Sequence, residues 1–244
     1  MLQMMTRTAI HPLKIAAGVG AAFVLWGLVL AYASSPAYAD TTFAVNSTGD
    51  ENDLDFPGGT FDGSSDAKCD VDSGAAGDQC TLRAAIQEAN VTAGADTINF
   101  GLGQSATITL ASQLPTITDP AELTIDGGST DITVSGGGNV RVFQVASGAK
   151  LALDNLTVAN GLAAGDENPS DTFGGGAANF GGTLTISNST FSGNDASGTS
   201  FGGGVATTDG GTLNVTDSTF SGNSAVFGGG IYSTNSSTTV TLLL

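Results

Sequence analysis

A chain of 244 residues with 40% hydrophobic and only 12% charged residues has apolar material for a core, while its 36 glycines are too many for an ordinary globular domain. Twenty-three acids against six basic residues give a formal charge of −17. A surface so acidic repels nucleic acids and anionic membranes, which sets aside functions built on basic patches.

The first 39 residues have the features of a signal peptide. Arg7 and Lys14 supply a positive start, residues 15–33 form a run of apolar and small side chains, and Ala37-Tyr38-Ala39 gives a small-x-small cleavage pattern before Asp40. An uncleaved anchor is the alternative, because the run approaches the ~20 residues that cross a bilayer. Removal leaves four basic residues against 23 acids, a net charge of −19, and no membrane span in the mature chain. Either way the remainder is expected outside the cytoplasm, in the extracellular space or at the cell surface or outer membrane.

Residues 40–95 read as an N-terminal cap. Thr42-Phe43-Ala44-Val45 alternates as a strand does, and a stretch rich in Asp and Gly follows as far as Gln79. The two cysteines of the chain, Cys69 and Cys80, flank its last part. In an exported chain they are expected to form one disulfide. Asp70, Asp72 and Asp78 are oxygen donors that could serve calcium, but they lack the full spacing and terminal Glu of a calcium loop, so a solvated acidic loop is expected there. No other cofactor is implied. From Cys80 the period changes: Leu82, Ala85, Ile86 and Ala89 fall at i, i+3, i+4 and i+7, which predicts an amphipathic helix with Thr81 as N-cap and Asn90 near its end. It precedes the first repeat strand, Asp96-Thr-Ile-Asn-Phe100, where it would cover an otherwise open core and strand edge.

Residues 96–244 are organised by a repeat. Gly181-Gly-Thr-Leu-Thr-Ile-Ser-Asn-Ser-Thr-Phe-Ser-Gly-Asn194 and Gly210-Gly-Thr-Leu-Asn-Val-Thr-Asp-Ser-Thr-Phe-Ser-Gly-Asn223 share ten of fourteen positions at an offset of 29 residues. Such a period marks a solenoid. Leu184 and Ile186 in one copy, and Leu213 and Val215 in the other, alternate with Thr, Ser and Asn, as in a strand with one buried face. Asn188 and Asp217 then bend the chain, and a short strand carries Phe191 or Phe220. Glycine-rich steps at Phe173, Phe201 and Phe227 supply a third segment. Three short strands per period, with no helix to return the chain, predict an all-β parallel β-helix with a short N-terminal capping helix. The ladder extends back to Leu151 and Leu153, 33 residues before Leu184 and Ile186, and to Leu123 and Ile125 at a further 28. The polar segment from Ala163 to Asp171 accounts for the long interval as a loop thrown out of a coil. Carried forward by 29, the period sets Leu242 on Leu213, so the repeats are expected to be truncated partway through a coil.

Two motifs carry a family resemblance. Cys80-Thr-Leu-Arg-Ala-Ala-Ile-Gln-Glu-Ala-Asn90, with Gly94-Ala-Asp-Thr-Ile98 after it, resembles the CSLREAI-type N-terminal domain of bacterial surface β-helix proteins. Phe191-Ser-Gly-Asn194, Phe220-Ser-Gly-Asn223 and the Gly-Gly-Gly steps resemble the F-x-x-N and G-G-A-I repeats of polymorphic outer membrane proteins. The resemblance implies a right-handed coil, export, surface display and an adhesive or structural role. It brings no catalytic residue.

Enzymatic readings find little to stand on. The one histidine, His11, lies in the leader, so a polygalacturonase-like Gly-His-Gly step is absent from the mature chain. A calcium-assisted lyase would need a base beside an acidic cluster. Arg141 and Lys150 are the candidates, with Asp131 and Asp154 the nearby acids, and both read instead as exposed charges on a strand face and in a turn. Asn188, Asn194 and Asn223 are expected to satisfy turn backbone from coil to coil. The outward Thr and Ser rows are the alternative site, a ligand-binding face. The expectation is therefore an exported, non-catalytic surface or secreted protein of adhesin or envelope type. Its partner would be a surface ligand, a glycan or a host or cell-surface protein. The alternative is a polysaccharide lyase-like β-helix whose active site lies outside this fragment.

Overall fold

The computed structural model describes residues 40–56, 59, 68–74, 76–103, 105–163, 172–234 and 239–243. The leader and residues 164–171 of the expected loop lie outside the described residues. Strand β1 (Thr42–Val45) is followed by helix α1 (Leu82–Ala89), then β2 (Asp96–Phe100), β3 (Ser105–Thr109), β4 (Glu122–Asp126), β5 (Asp131–Ser135) and β6 (Phe143–Val145). The next coil holds β7 (Lys150–Asp154), β8 (Leu156–Ala159) and β9 (Ala177–Phe180), and the one after it β10 (Thr183–Ser187), β11 (Thr190–Ser192), β12 (Asp195–Phe201) and β13 (Val205–Thr208). The last described coil contains β14 (Thr212–Thr216), β15 (Thr219–Ser221), β16 (Ser224–Phe227) and β17 (Ile231–Ser233), and β18 (Thr239–Leu243) begins another.

Every named pairing is parallel, and the strands stack into a seven-stranded sheet β1-β2-β4-β7-β10-β14-β18, a five-stranded sheet β3-β5-β8-β11-β15 and a four-stranded sheet β6-β9-β13-β17. This is the expected parallel β-helix. β1 belongs to the first sheet, so the cap segment supplies its first rung.

Equivalent side chains lie rung over rung. Leu123, Leu151, Leu184 and Leu213 form one inward column, and Phe43, Ile98, Ile125, Leu153, Ile186 and Val215 form the next. All are buried. Each such side chain withdrawn from water contributes about 1.5–3 kcal/mol. The second sheet adds Ile108, Val134, Val158, Phe191 and Phe220 in register. Phe220 is only half-buried, whereas Phe191 is fully enclosed beneath it.

The corners explain why the sequence bends where it does. Asn155, Asn188 and Asp217 occupy equivalent positions with φ of 54°, 47° and 48°, in the left-handed region that Asn and Asp tolerate best after glycine. The Gly-Gly-Gly steps are a separate requirement. Gly174, Gly202 and Gly228 have φ of 60°, 69° and 65°, and a Cβ on Gly176 would lie 2.6 Å from the Gly204 carbonyl oxygen and 2.8 Å from the Phe191 ring.

The last rung corrects the sequence register. Val240, not Leu242, pairs with Leu213, and Leu242 pairs with Val215, an offset of 27 residues. The arm from Asn223 to Phe227 is three residues shorter than its counterpart from Asn194 to Phe201, and the return from Phe227 to Thr239 is one longer than that from Phe201 to Thr212. These arms include β12 and β16, a short two-stranded sheet that the repeat did not reveal. Among the described residues no helix is long and apolar enough to cross a membrane.

Candidate functional site

Three regions carry polar groups in number: the cap, the inner arginine and the outer faces of the coils. In the cap, Thr81 is the N-cap as expected, its hydroxyl oxygen accepting from the Ala84 N–H at 3.1 Å. The amphipathic pattern predicts a wet face on α1, yet all eight helical residues are buried. The polar face is covered by the loop after β1. Asp53 N–H donates to Gln87 Oε1 at 2.9 Å, Gln87 Nε2 donates to Asn52 Oδ1 at 3.0 Å, and the Thr81 hydroxyl donates to the Glu51 carbonyl at 2.7 Å. Arg83 donates through Nε and Nη2 to the two carboxylate oxygens of Asp50, each at 2.9 Å, and through Nη1 and Nη2 to the carbonyls of Gln113 and Ser112. This bidentate, largely dehydrated pair ties the cap loop, the helix and the segment after β3 together. Cys69 and Cys80 form the expected disulfide.

Carboxylates converge in the cap, but they are not the ones the sequence singled out. Asp53, Asp55 and Glu88 each bring an oxygen within 4.8 Å of the others, with Asp53 and Glu88 buried. An all-oxygen set of this kind suits a hard cation such as calcium or magnesium. Asp70 and Asp72 are engaged locally: Asp70 Oδ1 accepts from the N–H groups of Asp72 and Gln79, and Asp72 Oδ1 accepts from Gly74 N–H. Asp78 borders a hollow of about 440 Å³ beside the disulfide. Glu88 carries no periodicity signal of its own; it sits on the helix face assigned to solvent.

Arg141 departs from its expected exposed position. It is 3% exposed, its Nε donates to the carbonyls of Phe173 and Gly174, and its Nη1 donates to Gln113 and Gln144. A guanidinium held this way buttresses the glycine-rich step and is no proton acceptor. Lys150, at the first position of β7, is exposed as expected. Asp131 stands at the start of β5 in a different sheet from Asp154, at the end of β7.

Asn194 and Asn223 stack as the repeat implies. Asn194 is fully buried, donates to the Val158 carbonyl and accepts from Gly161 N–H, while Asn223 donates to the Phe191 carbonyl and accepts from Asn194 N–H. Asn188 instead donates to Asp154 Oδ1 at 2.8 Å, and Asn155 donates to Asp126 Oδ1 and Asp154 Oδ2 at 3.0 and 3.1 Å.

The outer face of the second sheet holds the most regular polar array. Thr107, Thr133, Thr157, Thr190 and Thr219 face one another across all five strands without a break in register. The end members Thr107 and Thr219 are exposed and the three between are half-buried. Two residues further along each strand the column reads Thr109, Ser135, Ala159, Ser192 and Ser221, with Ser135 and Ala159 sunk below the surface. Beside the threonines lies a hollow of about 290 Å³ bordered by Thr130, Asp131, Asn155, Thr157, Asn188 and Thr190. Sequence reasoning found the threonines of the two near-identical copies but not those of β3 and β5. The available signal was the alternation in Ser105-Ala-Thr-Ile-Thr109 and Asp131-Ile-Thr-Val-Ser135.

Fold and surface together define a parallel β-helix with a buttressed N-terminal cap and one unbroken, uncharged threonine column on its second sheet. No protein-family model, curated protein or solved structure matches this chain.

Proposed function

We propose that the chain is an exported, non-catalytic β-helix of the adhesin or cell-envelope type, whose coils display a ligand-binding face. The observation that carries this reading is the unbroken column of threonines, one per coil on a parallel sheet, with a single polar hollow beside it. A solenoid suits the task because each coil adds an equivalent binding element in fixed spacing. The Cys69–Cys80 disulfide supports an oxidising compartment, and the CSLREAI-like and F-x-x-N motifs support surface display. The ligand is a molecule at a cell or matrix surface, a glycan or a surface protein. Fractionation and protease shaving of intact expressing cells test the reading. The protein is expected in the medium or surface fraction with Cys69 and Cys80 oxidised; recovery in the cytosol with free thiols and an intact leader overturns it.

A further inference from the structure

The second sheet presents an uncharged column on a chain whose formal charge is −17. Its geometry points to one class of occupant. We propose that the threonine column and the hollow beside it bind a neutral, extended, β-linked polysaccharide that lies along the solenoid axis with about one sugar residue per coil. The inference rests on the ligand-binding reading above and names the ligand's chemistry and its place.

Three observations converge on this occupant. First, successive coils set equivalent threonines about 4.8 Å apart, close to the length of one sugar residue in an extended β-linked chain. Five strands in unbroken register therefore offer a run of matching groups along a single line. Secondly, the chemistry suits sugar hydroxyls, which both donate and accept. Threonine hydroxyls do the same, and their β-branched side chains are stiff about χ1, so little freedom is lost on binding. The amide nitrogens of Asn155 and Asn188 are held by Asp126 and Asp154, which fixes both amides at the rim of the hollow. Thirdly, the charge is selective. The column itself carries none, Asp131 stands at its edge, and the chain is strongly acidic, so an anionic polysaccharide is repelled. A protein partner would be expected to anchor in apolar or aromatic pockets, whereas this hollow has no aromatic lining residue and its two apolar ones, Ile132 and Leu156, are themselves buried in the core.

Short hydroxyl contacts are weak singly, and affinity should arise from many coils engaged at once. The full chain, exported and purified, is titrated calorimetrically with cellohexaose, chitohexaose, their disaccharides and polygalacturonate. Binding of at least one neutral hexasaccharide is expected, stronger than its disaccharide by about tenfold or more, with no binding of polygalacturonate. Thr157→Lys with Thr190→Lys should weaken hexasaccharide binding about tenfold or more, while Thr185→Lys, on the first sheet, leaves it unchanged. Circular dichroism confirms the fold, and Thr157→Val with Thr190→Val, which keeps shape and removes the hydroxyls, serves if the lysine pair does not fold. Binding of no neutral sugar, preference for polygalacturonate, or equal loss in Thr185→Lys overturns the inference. A protein found at the surface by shaving that binds none of these sugars leaves the adhesin reading standing and removes this one alone.

Discussion

The stacked phenylalanines offer the sharpest test of the coil-on-coil architecture. Phe191 is fully buried, and its ring lies 5.1 Å from that of Phe220 at an interplanar angle of 14°. Phe191→Ala removes a large enclosed side chain between two coils, which costs about 3–5 kcal/mol when the cavity cannot collapse. Collapse is resisted here, because the Gly176 backbone and the Asn194 side chain beside the ring are fixed by the ladder. Phe220→Ala acts on a half-buried ring and should cost about 1–2 kcal/mol, below the large-to-small range of enclosed sites. The two rings are neighbours in a nearest-neighbour stack, so a double-mutant cycle should return a coupling of about 0.5–1.5 kcal/mol. Urea titration followed by circular dichroism, for wild type, both single variants and the double, measures all three. Strict additivity, or a loss below about 1 kcal/mol for Phe191→Ala, would refute the claim that equivalent residues bear on one another from coil to coil.

Arg83→Ala leaves the carboxylate of half-buried Asp50 with only the Ala111 and Ser112 N–H groups as donors among the described residues and should destabilise by about 2–3 kcal/mol in the same titration, below the range of a fully buried pair; Arg83→Lys should restore little, since an ammonium cannot reproduce the fork that meets Asp50, Ser112 and Gln113 together. Replacing Cys69 and Cys80 by serine opens a short loop and should lower stability by about 2–3 kcal/mol, read as a shift in urea midpoint that reductant reproduces in the wild type. Burial holds the Asp96 carboxyl above the usual carboxylate range, opposed by the Thr41 N–H it accepts and reinforced by Asp119 and Asp40. A raised folded-state value means that its stabilising effect is present in acid and is lost as pH rises through that value. Asp96→Asn, which keeps an acceptor for Thr41, should therefore be more stable than wild type at pH 7 and lose this advantage near pH 3; a variant less stable at neutral pH contradicts the assignment.

The sequence by itself determined the coil. Alternation in Leu184-Thr-Ile186, repeated at fixed offsets, fixed which side chains face inward, because a period of two leaves a strand no other way to bury them. The Asx residues at 188 and 217 marked corners, and the change of period after Cys80 marked the helix. These are local signals, written in neighbouring residues. The tertiary structure decided what depends on residues distant in the chain. The α1 polar face is buried because a loop some 30 residues earlier folds over it with matching donors and acceptors, and no periodicity reports that. Arg141 is interior because the carbonyls of Phe173 and Gly174, on the next coil, receive it. The final register moved by two residues because two arms changed length in opposite directions, and only strand pairing resolves the difference. The threonine column falls between the two: the repeat already implied outward threonine rows in its near-identical copies, and strand pairing extended them to a line of five by bringing in β3 and β5, which lie outside those copies.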